Sequence, residues 1–164
     1  MKYFTLLFTL FIALNTNAQS LKGRTLGKPY YGNNFNQTET VSGIPGNISI
    51  KKTLDGLVYE ITFSFKNNDF QSLKDLVRNI ESNYNIRLGK IGKADRYRIH
   101  YDYSYEIDEF NYKSIGLYSD SYNKEVSFSL ISKNWDGYRE FEIRNIRLSS
   151  LNDEQQKKSK TRDF

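Results

Sequence analysis

Between Leu57 and Phe65 the chain reads Leu-Val-Tyr-Glu-Ile-Thr-Phe-Ser-Phe, which sets Leu57, Tyr59, Ile61, Phe63 and Phe65 on one side of a period-two pattern. That alternation predicts a half-buried strand. Asn47 to Leu54 carries Ile48, Ile50 and Leu54 in the same period, and Asp55-Gly56 joins the two runs with a pair that accepts the positive φ of a type I′ turn. After Phe65 the period changes. Lys66-Asn67-Asn68-Asp69 is a polar break that holds N-cap residues, with Gln71 three positions after Asn68 as in a loose capping box. Phe70, Leu73, Leu76, Val77, Ile80 and Tyr84 then recur at three- and four-residue spacing. Lys74, Asp75, Arg78, Asn79, Glu81 and Ser82 fill the opposite side. This is one amphipathic helix over about 69–84, and its apolar stripe requires a sheet to cover.

Downstream, Asn85 to Asp95 is a Gly-containing basic connection with Ile86 and Leu88 as a short strand. Arg96 to Asp108 shows the longest alternation in the chain. It sets Tyr97, Ile99, Tyr101, Tyr103, Tyr105 and Ile107 on an expected core face, against Arg98, His100, Asp102, Ser104, Glu106 and Asp108 on a wet one. Tyr112 to Ser119 and Lys124 to Ser132 form a further hairpin around Asp120-Ser121-Tyr122-Asn123. Asn134-Trp135-Asp136-Gly137 turns into a last strand over Tyr138 to Leu148, with a change of phase near Asn145. The order strand, strand, helix, then about four strands predicts an α+β fold. It comprises a mostly antiparallel β-sheet of about six strands with one helix packed across one face.

At the ends the pattern is lost. Met1-Lys2, an apolar run from Tyr3 to Leu14 and the small polar Asn15-Thr16-Asn17-Ala18 have the three zones of a signal peptide, cleaved after Ala18. The run is shorter than the roughly 20 residues that a bilayer span takes, so no transmembrane segment is expected in the mature chain. The Asn-Ala-Gln-Ser junction resembles export signals common in the Bacteroidetes, a likeness of signal type confined to these few residues. The expected organisation is a signal peptide over 1–18, an irregular N-terminal arm over 19–40, a single α+β domain over 41–148 and a polar C-terminal tail over 149–164, as frayed helix or disordered chain. The localisation this implies is periplasmic or secreted.

Composition narrows the chemistry. The 164 residues contain no Cys, which excludes disulfides, thiol catalysis and Cys-ligated metals and leaves the fold to packing alone. A formal charge of +5, or +4 once Lys2 leaves with the signal, is too mild to indicate nucleic acid, and no nucleic-acid motif is present. Thirteen Tyr and eleven Phe agree with a strand-rich fold.

Candidate sites are weakly marked. His100, the only His, shares a strand face with Asp102 and Arg98, but no nucleophile motif accompanies it. Glu106 and Asp108, roughly 7 Å apart along a strand, match the carboxylate spacing of glycoside hydrolysis, although alternating charge on an outer face is ordinary. Asn134-Trp135-Asp136-Gly137 lacks the ligand order of a calcium loop, so no metal and no cofactor is implied. Arg87, Lys90, Lys93, Arg96 and Arg98 make the densest positive stretch, beside Tyr97 and Tyr101, and could hold an anionic glycan or a lipid head group. Of the aromatics outside the core phase, Tyr118, Tyr122, Trp135 and Tyr138 lie near turns and are the surface candidates. The candidate ligand-binding set is therefore Arg87, Lys90, Lys93, Arg96, Arg98, His100, Trp135 and Tyr138, with no catalytic residue assigned. The function expected is an exported, non-enzymatic binding or accessory module of the cell envelope, engaging a glycan, lipid or protein partner. A small glycan-acting hydrolase and a structural subunit of an envelope complex are the alternatives.

Overall fold

The computed structural model describes residues 19–32, 37–94, 99–120, 124–134 and 136–162. The signal peptide expected over 1–18 lies outside the described residues. The fold is α+β, with an eight-stranded antiparallel sheet, a separate two-stranded one and two helices. In chain order the elements begin with β1 (Ser20–Leu21), β2 (Arg24–Thr25), β3 (Gln37–Val41), β4 (Ile44–Lys52) and β5 (Val58–Lys66). Next come α1 (Phe70–Tyr84), β6 (Gly89–Ala94), β7 (Ile99–Asp102) and a 3-10 turn at Tyr112–Ser114. The chain closes with β8 (Gly116–Asp120), β9 (Val126–Ser132), β10 (Tyr138–Asn145) and α2 (Ile146–Arg162). The large sheet has the order β3-β4-β5-β10-β9-β8-β6-β7. The last strand of the chain is thus inserted at its centre, where β10 pairs with β5 from Tyr138↔Lys66 to Arg144↔Glu60 and with β9 from Arg139↔Ser132 to Asn145↔Val126.

The ladder makes β5 and β6 run in the same direction with three strands between them. The link between them must therefore cross one face of the sheet, and α1 is that link. Asp69 caps it, its carboxylate accepting from the Ser72 N–H at 2.6 Å; the Ser72 side chain, and then that backbone bond, hold the Asp69 carboxyl below its usual pKa. Asn85 ends the helix in the left-handed region at φ 50°. Leu73, Leu76 and Ile80 are buried, and Tyr84 sets its ring 5.3 Å from Phe128 and 6.0 Å from Phe141. The face beneath is continuous core: Ile61, Phe63 and Phe65 on β5, Phe141 and Ile143 on β10, Val126, Phe128 and Leu130 on β9, and Leu117 on β8.

Three expectations are corrected. The sheet has eight strands among the described residues, where about six were expected: β6 forms in the basic connection, and the arm over 19–40 is not irregular throughout. Gly27 and Val58 bond as backbone partners (Gly27 N–H to the Val58 carbonyl, 2.8 Å), which places the arm beside β5 beyond the end of β10. Gln37–Val41 then add β3 to the edge of β4. Buried Arg24 ties the arm down through the Lys22 carbonyl and the side chains of Gln37 and Glu39. The β4–β5 connection is a three-residue loop rather than a two-residue type I′ turn: Thr53 N–H bonds the Leu57 carbonyl at 2.9 Å, and Gly56 takes φ 86°. Of the long strand expected over Arg96 to Asp108, the described residues from Ile99 onward keep only β7. Asp102 accepts from the Ser104 N–H (2.9 Å) and hydroxyl (2.6 Å), and Asp108 accepts from the N–H groups of Phe110 (2.8 Å) and Asn111 (2.9 Å). Such local bonds offer the backbone an alternative to the ladder. Ser149 to Arg162, expected as frayed helix or disordered chain, belong to a second helix, α2, whose residues from Asp153 to Ser159 are all exposed.

One core-phase position is charged. Arg139 is 1 % exposed, and its guanidinium donates to the carbonyls of Gly137 (2.9 Å), Tyr112 (3.0 Å) and Asn67. Among the described residues no carboxylate pairs with it, and burial pulls its pKa down. It clamps the β9–β10 turn, the 3-10 turn and the entry to α1 to one another.

Candidate functional site

The sheet face turned away from α1 has the opposite character. From Glu60 onward along β5, β10, β9 and β8, the inner-face positions other than the strand ends Ser132 and Asn145 are buried, whereas every outer-face position except Glu60 keeps some exposure. Cross-strand register arranges the outer face in rows. Gly89, Tyr118, Ser129, Glu142, Thr62 and Ser49 form one row; Asp120, Ser127, Arg144, Glu60 and Lys51 form the next.

A groove of about 320 Å³ lies across the middle of this face, lined by Tyr101, Tyr118, Ser127, Ser129, Glu142 and Arg144, with Ile131, Lys133 and Glu140 at one end. Its aromatic wall depends on glycine. Tyr101 on β7 and Tyr118 on β8 are separated by β6, yet their rings approach to 6.3 Å with planes only 11° apart. Gly89 on β6 pairs with Tyr118, and a Cβ there would fall 2.8 Å from the Tyr103 ring and 2.9 Å from the Asp102 carbonyl. Tyr118 leans along its own strand, its ring edge and hydroxyl 3.6 Å from where a Cβ on Gly116 would be. Gly89 thus leaves room for the Tyr103 ring, whose centroid lies 6.1 Å from that of Tyr101.

The opposite wall is ionic. Glu60, 4 % exposed at its side chain, is bracketed by Lys51 Nζ and Arg144 Nη2, each at 2.8 Å; Arg144 also reaches Glu142 at 3.1 Å, and Lys133 reaches Glu140 at 2.7 Å. Burial and the neighbouring Glu60 carboxylate push the Glu142 pKa up, with Arg144 opposing them. For Arg144 itself burial works against the charge, but Glu142 and Glu60 outweigh it and the pKa rises. On the aromatic side, burial and then the Asp120 carboxylate push the Tyr101 phenol up to about 12; its hydroxyl lies 3.5 Å from Asp120. Tyr84, the last residue of α1 and half-buried against Phe128 and Phe141, is also pushed above its ordinary value of 10.0 by burial.

A pH prediction follows from these two phenols. Each folded-state pKa is raised, so the stability that the neutral rings contribute is intact below pH 10 and is lost as pH rises toward about 12. Urea unfolding followed across that window should show a falling midpoint, and Tyr101→Phe should flatten part of the fall. A midpoint unchanged from pH 10 to about 12 would contradict it.

The residues singled out in the sequence do not converge. Arg87 and Lys90 come together on the helix side around Tyr105, where Lys90 Nζ sits 5.1 Å from the ring centroid. Arg87 and Tyr105 line a separate hollow of about 380 Å³ between α1 and the 103–115 connection. His100 is exposed on β7, the outermost strand of the sheet. Tyr138 lies on the open face beside Lys66, with Nζ 5.4 Å from its ring. Arg96, Arg98, Trp135 and the Lys93 side chain fall outside the described residues. Glu106 and Asp108 are exposed in the 103–115 connection rather than on a strand face, and Asp108 spends its carboxylate on the backbone bonds described above. Tyr101 and Tyr103, expected in the core, sit around the groove instead, Tyr103 with 42 % of its surface exposed; only Tyr105 and Ile107 of that run pack on the core.

Tyr118 was legible in the sequence as an off-phase aromatic. Ser127, Ser129, Glu142 and Arg144 were not singled out, although they alternate with Val126, Phe128, Phe141 and Ile143 in the manner of strands wet on one face.

Among the described residues no three His, Asp or Glu side chains gather in a metal-binding arrangement, and no helix is long and apolar enough to cross a membrane. The structure therefore defines a class by architecture: an α+β protein whose antiparallel sheet is helix-covered on one side and carries an open groove on the other. Comparison with protein-family models, with curated proteins and with solved structures finds no match to the chain.

Proposed function

We propose that this chain is an exported, non-enzymatic binding module of the cell envelope and that its ligand occupies the open face of the sheet. The observation that carries the reading is the contrast between the two faces. One is closed by α1 and the 103–115 connection; the other, built from the same four central strands, holds a groove with aromatic, hydroxyl and charged side chains on rigid ladder positions. Convergent polar groups beside aromatic surface are the usual make-up of a ligand site. The hollow at Arg87 lies on the helix side of the sheet, and the Glu81 carboxylate on its wall accepts from the Leu88 N–H at 2.8 Å.

The test is amide chemical-shift mapping of the folded protein, titrated in turn with the glycan, lipid and protein pools of a bacterial envelope extract. Shifts are expected at Tyr101, Tyr118, Ser129, Glu142 and Arg144. They should vanish in Ser129→Trp, whose indole fills the groove from a position that is wet in the parent. Shifts confined to the Arg87 hollow, or none from any pool, would overturn the placement.

A further inference from the structure

We infer that the groove is a site for an uncharged carbohydrate, one or two sugar rings long, stacked on Tyr101 and Tyr118. The inference rests on the open-face reading above and assigns that site its ligand class.

Charge is the first ground. Every ionic side chain in the groove is already matched: Lys133 to Glu140, Arg144 to Glu142 and Glu60, and Lys51 to Glu60. Two cations and two carboxylates line the hollow itself, and Lys51 and Glu60 beside it add one of each. An anionic ligand would have to displace a carboxylate from Arg144 or Lys133, trading one ion pair for another. A cationic ligand would face the same exchange at Glu140 or Glu142. A neutral polyol does neither, since a carboxylate with an oxygen lone pair to spare and a guanidinium with an outward N–H bond hydroxyls without separating from each other.

The second ground is the lining between those pairs. Ser127 and Ser129 stand side by side on the β9 floor, and their hydroxyls have no hydrogen-bond partner among the described residues. Such groups both donate and accept, as sugar hydroxyls do. The third is the aromatic wall. Two nearly parallel rings 6.3 Å apart offer π surface to the C–H face of a pyranose. Size agrees: about 320 Å³ is at the small end of ligand pockets, enough for a short saccharide and too little for a folded partner. An extended peptide would seek an unpaired strand edge, whereas this groove lies over the paired interior of the sheet, where no backbone group is free to receive it.

The experiment is a titration of the full mature chain, by chemical shift and by calorimetry, with maltose, cellobiose, N,N′-diacetylchitobiose and a lactose-type galactoside, alongside digalacturonate as the charged counterpart. At least one neutral disaccharide should bind with shifts at Tyr118, Ser129 and Glu142, and its affinity should not change with added salt. Tyr118→Ala should weaken it by about tenfold or more, with Tyr118→Phe retaining most of it, because the ring and not the hydroxyl supplies the stacking. Unchanged thermal unfolding of both variants shows that the fold is not the cause. Tighter, salt-sensitive binding of digalacturonate at this face, or silence to all four neutral sugars, would overturn the ligand class. If envelope fractions still shift the open face in that case, the binding-face reading survives on its own.

Discussion

Replacing Arg139 by methionine should lower the unfolding free energy by about 3 kcal/mol, the cost of stranding buried carbonyls that a charged donor had satisfied. Two effects compete. Removing a guanidinium whose pKa burial already depresses relieves a desolvation cost, and buried ion pairs replaced in full by apolar residues are often neutral for that reason. Here, however, the partners are main-chain carbonyls of Asn67, Tyr112 and Gly137, which stay behind when the guanidinium goes. Gly137 retains one bond, from the Asn67 N–H at 3.0 Å, so the loss falls mainly on the other two. At the scale of a domain this size the change corresponds to a fall in melting temperature of about 10 °C. Arg139→Lys keeps the charge but not the planar fork, and should lie between the two. Calorimetry of the three proteins decides it; a methionine variant within about 1 kcal/mol of the parent would show that the three turns hold without the clamp.

Phe141→Ala should cost about 4 kcal/mol, the upper part of the range for truncating a buried aromatic. Phe141 is fully buried at the centre of the inner face, in register with Phe63 on β5 and Leu130 on β9, and the Tyr84 ring packs 6.0 Å away. The cavity would open where α1 is held against β10, the strand that joins the two halves of the sheet. Hydrogen-exchange protection should therefore fall in α1 as well as in β10, and denaturant unfolding should move to a lower midpoint. Phe141→Leu, which keeps much of the volume, should recover more than half of the loss. Exchange that weakens only within β10 would mean that the helix is held elsewhere, for instance by the Tyr84 hydroxyl bond to the Ser20 carbonyl at 2.8 Å.

These two positions and Tyr118 separate stability from binding. Arg139 and Phe141 project to the inner face and bear on the fold, whereas Tyr118, on the opposite face of β8, is expected to bear on the ligand alone. A strand assigns neighbouring residues to opposite faces, so the division is built into the pleat.

How much of this was legible varied with the range of the interaction. Ile61, Phe63 and Phe65 were read as core from spacing alone, and α1 was placed over about 69–84 against an observed Phe70–Tyr84, because a hairpin and a helix are specified by neighbours a few residues apart. The Arg96 to Asp108 run misled for an instructive reason. Its alternation is real, but Asp102 and Asp108 bend the chain with their own side chains, and period-two spacing does not register that competition. Arg139 occupies a core phase that a charge ordinarily avoids, and nothing in the local sequence reveals the three carbonyls that accept its hydrogens.

By itself, then, the sequence determined the α+β class, the absence of any disulfide support, the central hairpin and helix, and the alternation that makes β9 and β10 wet on one face. Tertiary structure alone decided that β10 enters the middle of the sheet and that α1 covers only one side. It alone decided that Tyr101, Tyr118, Ser129, Glu142 and Arg144 meet across four strands. The physical reason is that periodicity records which side of its own strand a residue faces, while strand order and the covering of a face are set by contacts between residues far apart in the chain. A groove formed by strand order leaves no mark in any one stretch of sequence.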